Sequence, residues 1–292
     1  MRVHFILVRR VPPVPSPALL EVFALLERRG FEISSSIPEE IVTRPEEVRL
    51  EHDLYVLKSH TELALSLAGL LDTQGARLLN PYRSCLTTQD KIVASRRLRA
   101  AGVPTPGSWI TGDLALLRPI AETRPLILKP HRGHRGAGIA IIRDGRELDA
   151  IPRPNEPLLV QEYVSGDVED VKVYVVGGDV FAVRKEFSPT SFTRPGRPCA
   201  VSGELREIAL ACGRVLGLGL YGLDVVEAND GPVVVDVNYF PGYKGVPGVA
   251  ALIADYVESY AQGETRLELP ALDPAPLDGL RIAHPVAADI GT

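Results

Sequence analysis

Residues 221–246, YGLDVVEANDGPVVVDVNYFPGYKGV, constrain the fold more than any other stretch of the chain. Two apolar runs, 223–227 and 232–237, flank Asn229-Asp230-Gly231. An Asp-Gly pair between such runs is a strong signal for an antiparallel hairpin. The runs are interrupted at Asp224, Asp236 and Asn238. Strand alternation puts Asp236 and Asn238 on one face, and hairpin pairing can bring Asp224 beside them. Two carboxylates and a carboxamide oxygen then converge just before the tight turn Tyr239-Phe240-Pro241-Gly242. Hard oxygen donors of this kind suit Mg²⁺, which keeps its other positions for water and substrate phosphate. The competing reading, a strand cap and a solvated carboxylate, accounts for one Asp but not for three donors in this pattern.

The rest of the chain sets the bounds. At 292 residues it can form two or three lobes around a sizeable core. A formal charge of −5 argues against a general nucleic-acid binder, while local basic clusters can still hold an anion. Cys85, Cys199 and Cys212 are far apart and form no CxxC, so neither zinc nor a disulfide framework is indicated. The apolar run at 3–8 is too short for a signal sequence or a bilayer span. The setting implied is a reduced cytoplasm, with no membrane partner.

Residues 1–88 read as a small parallel α/β lobe. A buried strand at 3–8 is followed by Arg9 and Arg10. Ser16 and Pro17 open a helix that Gly30 ends. Strands at 31–33 and 53–58 and a helix near 61–71 complete the alternation. Ligands of parallel sheets bind beyond the carboxyl ends of the strands, where Arg9, Arg10 and Lys58 fall. Solvated loop charges are the alternative for all three. No Gly-rich fingerprint follows the first strand, so a dinucleotide is not expected.

Residues 89–165 read as a second unit. Thr87 or Thr88 is expected to cap a helix over 89–101, with Lys91 in its first turn. A strand ending at Lys129 leads into the basic loop Pro130–Gly138, and a strand at 139–142 follows. That loop contains His134 and Arg135 as well as Gly133, Gly136 and Gly138. Backbone N–H groups of such a loop can approach phosphate oxygens, and Lys129 would add a compact charge. An apolar strand ends in Gln161, Glu162, Tyr163 and Val164.

Residues 166–265 contain a hairpin around Gly177-Gly178 that carries Asp170, Lys172, Arg184 and Lys185. Residues 188–200 read as a mobile loop, Ser202 caps the next helix, and a final helix runs from about 249 to 260. The Pro-rich tail, 266–292, wraps the surface or is poorly ordered.

In order, Asp90-Lys91, Lys129 with its glycines, QEYV, Asp170-x-Lys172 and Asp224…Asp236-x-Asn238 resemble the motifs of the ATP-grasp superfamily over about residues 1–262. The resemblance implies an α/β fold with α+β lobes. A parallel N-terminal lobe would precede a two-lobed nucleotide-binding unit: a lid and a metal-binding antiparallel sheet. It implies ATP as nucleotide, with Mg²⁺, two ions, on Asp224, Asp236 and Asn238. Lys91, Lys129 and the loop glycines would meet the phosphates. The Gln161–Val164 segment would meet the adenine edge, through backbone groups of Glu162 and Val164, and Asp170 the ribose. Lys172, Arg184 and Lys185 would face the transferring phosphoryl group or the acceptor. Arg9, Arg10, Lys58, His134, Arg135 and Gly242 would bind the second substrate.

Two branches are resembled at once. The Gly-rich loop, the length and the short metal hairpin resemble the glutamate-ligase and ribosomal-protein-modifying ligases. The NYFPGYKG segment and the position of Lys58 resemble the inositol trisphosphate 5/6-kinases, which mostly lack those glycines. The expectation is therefore phosphorylation of a small anionic acceptor, first as a carboxylate activated for amide formation, alternatively as a hydroxyl. A non-catalytic nucleotide-binding protein is disfavoured by the full ligand set. The sequence names neither the acceptor nor the oligomeric state.

Overall fold

The structure, a computed structural model, describes residues 1–10, 14–132, 138–152, 156–166, 169–186 and 196–271. Three sheets are formed in chain order. The first is parallel, with strand order β2-β1-β3-β4: β1 (Arg2–Ile6), β2 (Glu32–Ser36), β3 (Leu54–Leu57) and β4 (Leu78–Leu79). Helix α1 (Pro17–Arg28) follows β1, and α2 (Glu62–Thr73) follows β3. β1 stops at Ile6, short of the expected 8, so Arg9 and Arg10 lie well past its end. Ser16 occupies the N-cap position of α1 without a side-chain bond, and Pro17 opens the helix as its fixed φ allows.

One boundary expectation is corrected. Residues before 89 are already helical, in α3 (Tyr82–Gln89). Thr88 lies inside it and donates its hydroxyl to Ser84 O at 2.7 Å. The cap of α4 (Lys91–Ala100) is Asp90, whose carboxylate accepts from Ile92 N at 3.1 Å and Val93 N at 3.2 Å. A carboxylate is a strong cap for unpaired N-terminal N–H groups, and two helices in succession hid the boundary.

The second sheet is antiparallel, order β5-β8-β6-β7: β5 (Ser108–Thr111), β6 (Leu126–Pro130), β7 (Ala140–Ile142) and β8 (Leu158–Glu162). The short helices α5 (Arg118–Ala121) and α6 (Gly145–Asp149) pack on it. The third, order β11-β10-β9-β12-β13, comprises β9 (Glu169–Val176), β10 (Asp179–Glu186), β11 (Arg197–Cys199), β12 (Leu220–Ala228) and β13 (Gly231–Tyr239). Helices α7 (Gly203–Leu216) and α8 (Val249–Gln262) pack against β9. Ser202 caps α7, accepting from Leu205 N at 3.1 Å.

Packing divides the described residues differently from the sheets. The first and third sheets share one continuous apolar core, from Val3 and Phe5 through Val173 and Leu223 to Ile253. The second sheet has a small core of its own around Leu126, Leu128, Ile142 and Val160. On β9, Val171, Val173 and Val175 are buried, while Asp170 and Lys172 alternate to the other face. That face carries the site. The described part of the tail lies over the body: Arg97 Nη2 donates to the Pro270 carbonyl, and Leu267 packs on the main core.

Candidate active site

The β12–β13 register opposes Asp224 directly to Asp236, and Gly222 to Asn238. The register then shifts, with Val225 opposite Val234, so Val235 is the extra residue of a bulge. Lys129 Nζ donates to the Val235 carbonyl at 2.8 Å. Like charges directly opposite on a sheet repel, so each carboxylate needs a cation. Lys91 Nζ lies 2.5 Å from Asp236 Oδ1. Lys172, cross-strand partner of Asp224 on β9, donates to Asp224 Oδ1. Three lysines from three elements thus meet the two acidic strands. Glycine at 222 leaves room for the following turn, since a Cβ there would stand 3.0 Å from Pro241 Cγ and 3.2 Å from Val173 O.

The charges tune one another. Burial pushes the Asp236 carboxyl up, but Lys91 and Lys129 outweigh it and hold it below the ordinary carboxylate range. Burial pulls the Lys129 ammonium down, partly offset by Asp236. Burial also opposes the charge on Lys172, but Asp224 outweighs it and the lysine is raised. Lys185, paired in register with Asp170, is brought down to about 8 by burial, then by Lys172 and Lys244. Asp170 is raised, first by burial and then by Asp224.

The expected site residues separate into groups. Lys91, Lys129, Lys172, Lys185, Asp170, Asp224, Asp236 and Asn238 are brought to one region. Arg184 is not, because it alternates to the opposite sheet face, where it pairs with Glu227 at 2.6 Å. Arg9 is exposed and pairs with Glu40 at 3.0 Å, and Arg10 is exposed beyond the strand end. Lys58 donates to the Phe240 carbonyl at 2.6 Å. Gly242 is exposed, and a Cβ there would meet only Lys244, at 3.7 Å, so no close approach demands glycine. The Glu162 carboxylate pairs with Arg124 and accepts from Gly107 N at 3.3 Å. Val164 is half-buried beyond β8, and Gly138 lines a cleft with φ +74°. Gly133, His134, Arg135 and Gly136 lie outside the described residues, as do 187–195 of the expected mobile loop and 272–292 of the tail.

Two spaces adjoin the charges. A cleft of about 620 Å³ is lined by His60, Glu62, Arg132, Glu156, Asn238 and Tyr239, among others. Glu62 accepts from Arg132 Nη1 at 3.1 Å, joining α2 to the loop after β6. A smaller cavity, about 20 Å³, lies between α4, β8 and β13 beside Lys91, Thr105, Gln161 and Asp236. Gln161 is 3% exposed, yet among the described residues its Oε1 has no hydrogen-bond partner, and neither does Thr105 Oγ1. Orphaned buried acceptors are uncommon and point to a missing donor. Gln161 and Lys129 share a face of the second sheet, so that donor would arrive beside Lys129. The Lys244, His60, Glu62 and Glu156 contributions carried no sequence signal. Single charged or aromatic residues in loops or at the start of a helix do not reveal which cleft they line.

Oxygen donors on β12 and β13 fit Mg²⁺ as two carboxylates and a carboxamide. Among the described residues no group of three His, Cys, Asp or Glu side chains could hold a metal. Three sheets in this order, with lysines from the second sheet and α4 meeting acidic strands of the third, define an ATP-grasp fold. A RimK-domain ATP-grasp protein from Sphaerobacter thermophilus superposes with a TM-score of 0.73, at 23% identity, over 88% of this chain and 99% of that one. The model of the RimK-like ATP-grasp domain matches residues 88–255, and the chain belongs to that family. Beta-citrylglutamate synthase B of Danio rerio is 28% identical over 256 residues, 80% of this chain. The match spans only 60% of that synthase. A "Probable alpha-L-glutamate ligase" of Saccharophagus degradans is 28% identical over 212 residues, 65% of this chain and 70% of that protein.

Proposed function

We propose that the chain is a Mg·ATP-dependent carboxylate–amine ligase, which phosphorylates a carboxylate and lets an amine displace the phosphate to give an amide. The observation that carries this reading is the charge row itself: Asp224 and Asp236 opposed in register, with Lys91, Lys129 and Lys172 gathered on them. Membership of the RimK-like family and the ligase names of its relatives support it.

In this reading Asp224, Asp236 and Asn238 hold two Mg²⁺ ions, which when bound neutralise charge on the β- and γ-phosphates. Lys91 and Lys129 exchange protein oxygens for phosphate oxygens. Gln161 Oε1 accepts from the adenine amino group, backbone groups near Glu162 and Val164 meet the base edge, and Asp170 takes the ribose. Lys172 and Lys185 orient the transferring phosphoryl group and the acceptor's carboxylate, a positioning role suited to a reaction driven by charge stabilisation. The reduced cytoplasm is the proposed setting, consistent with three free cysteines.

The large cleft favours the ligase over the inositol kinase alternative. It presents Glu62 and Glu156 beside Arg132 and Lys91. Mixed charge suits a zwitterion such as an amino acid, whereas a polyphosphate would face two carboxylates. The first-lobe cations Arg9 and Lys58 also have protein partners. Glutamate, named in both relatives, is the first acceptor or amine to test.

The test is a substrate screen with Mg·ATP, read by hydroxamate formation in hydroxylamine and by phosphorus NMR. The ligase reading expects hydroxamate with an amino or dicarboxylic acid and free phosphate only when an amine is present. A stable new phosphate ester, without hydroxamate, would replace it with the kinase.

A further inference from the structure

We propose that Lys58, Ser59 and His60, at the end of β3, form a positioning clamp that fixes the turn after Asn238 and so holds its carboxamide in place. The proposal rests on the assignment of Asn238 to the metal. The turn needs holding. Phe240 and Tyr243 are non-glycine residues with φ of +34° and +49°, a backbone region that side chains disfavour and that persists only where the surroundings enforce it.

Three consecutive first-lobe residues supply the enforcement at Tyr239 and Phe240, while Tyr243 is held by its own hydroxyl, which donates to the Val175 carbonyl at 2.9 Å. Lys58 Nζ donates to the Phe240 carbonyl at 2.6 Å and sits 4.9 Å from the centroid of the same residue's ring. The Ser59 carbonyl accepts from the Tyr239 hydroxyl at 2.8 Å. The His60 ring stacks on Tyr239, with centroids 4.1 Å apart and planes 29° from parallel. Gln89 extends the grip, with Oε1 2.8 Å from the Tyr239 hydroxyl and Nε2 donating to Glu62 Oε1 at 2.8 Å. Tyr239 and Phe240 are each 1% exposed, so the held residues cannot shift without moving the core.

Function follows from what the clamp joins. His60 and Glu62 line the large cleft on one side, and Asn238 and Tyr239 line it on the other. The first lobe therefore acts on the metal strand by contact with its end. Lys58, expected from its position to bind the second substrate, holds the backbone two residues past Asn238. Such supporting contacts set ligand orientation, and their loss typically weakens metal binding on the order of tenfold or more.

The experiment compares wild type with Lys58→Met, Lys58→Arg and Tyr239→Phe. Mn²⁺ binding is measured by electron paramagnetic resonance with a non-hydrolysable ATP analogue, alongside circular dichroism and steady-state kinetics. Lys58→Met is expected to weaken Mn²⁺ binding about tenfold and to lower kcat while leaving the acceptor KM within about twofold. Lys58→Arg should restore most of the affinity. Tyr239→Phe, which keeps the ring stack, should weaken it less, and it decides the matter if Lys58→Met does not fold. Unchanged Mn²⁺ affinity in the folded variants would overturn the clamp, as would a raised acceptor KM as the sole effect. Mn²⁺ affinity does not depend on the acceptor, so a failure of the ligase assignment leaves this readout intact.

Discussion

Asp236→Asn separates the ion pair this carboxylate makes from the metal-holding role proposed for it. In the protein without nucleotide it neutralises Lys91, at 2.5 Å, and lies close enough to Lys129 to offset its burial. The Lys91 and Asp236 side chains are 13% and 26% exposed. That lies between a surface pair, worth about 0–1 kcal/mol, and a fully buried one, whose breakage costs about 3–5 kcal/mol. Loss of the charge should therefore cost about 1–3 kcal/mol, lowering Tm by about 2–6 °C in a chain of this length. Turnover should fall further, about 10²–10³-fold, because a ligand that supports transition-state charge is lost.

The pH dependence has a defined sign. The folded carboxyl lies below its unfolded value, so its stabilisation is present above about pH 4 and fades as pH falls through the folded value. The Tm gap between wild type and variant should close on that side. A double-mutant cycle with Lys91→Met completes the test. Part of the stability should return in Asp236→Asn/Lys91→Met, since Lys91 is no longer left unpaired and no longer repels Lys129, whereas turnover should not. Near-normal Mg²⁺-dependent turnover in Asp236→Asn would refute the assignment. A loss of turnover rescued together with stability would show that only folding was at stake.

Lys185 should give a descending limb near pH 8 in kcat/KM for the acceptor, because its ammonium is needed and is brought down to about 8 by burial and by Lys172 and Lys244. Stability should rise over the same window, from about 8 to the unfolded value near 10.4, since the unfolded chain then holds the extra proton. Lys185→Arg should move the limb upward, and a limb that stays at 8 removes Lys185 from the role. Gln161→Leu should raise KM for ATP about three- to tenfold while destabilising the free protein by no more than about 1 kcal/mol, because the orphaned Oε1 leaves with the side chain. Preference for ATP over ITP should fall as well, and an unchanged preference would mean that the orphan acceptor does not read the base.

The β12–β13 hairpin was legible because its signals are local. Asp230-Gly231 marks the turn, and period-two alternation fixes which of Asp224, Asp236 and Asn238 share a face. The bulge at Val235 carries no such signature in VVVDV, yet it supplies the carbonyl that Lys129 meets. Arg184 lies on the face away from the charge row for a related reason. It is adjacent to Lys185 in sequence, and adjacency on a strand means opposite faces, so only one of the two can join the site. Lys58 shows a third limit. The rule that ligands gather at strand ends located it correctly, but its partner, the Phe240 carbonyl, is 182 residues away and became visible only in the fold.

The contacts between the second and third sheets bear on how ATP could enter. The small cavity beside Gln161, about 20 Å³, has room for a water but not for a purine. Three polar contacts reach β13 there: Lys129 Nζ of the second sheet to the Val235 carbonyl, Val234 N to the Pro104 carbonyl just before β5 at 2.9 Å, and Lys91 of α4 to Asp236. The second sheet also keeps its own apolar core, so a change at this seam exposes little of the shared core of the first and third. Polar seams between separately packed units favour relative motion. Two of these three contacts are made by lysines proposed to hold phosphate. A triphosphate arriving at the seam would offer each of them an oxygen in exchange for the one it gives up. The same side chains would then serve in turn as partners of protein oxygens and as the grip on the nucleotide.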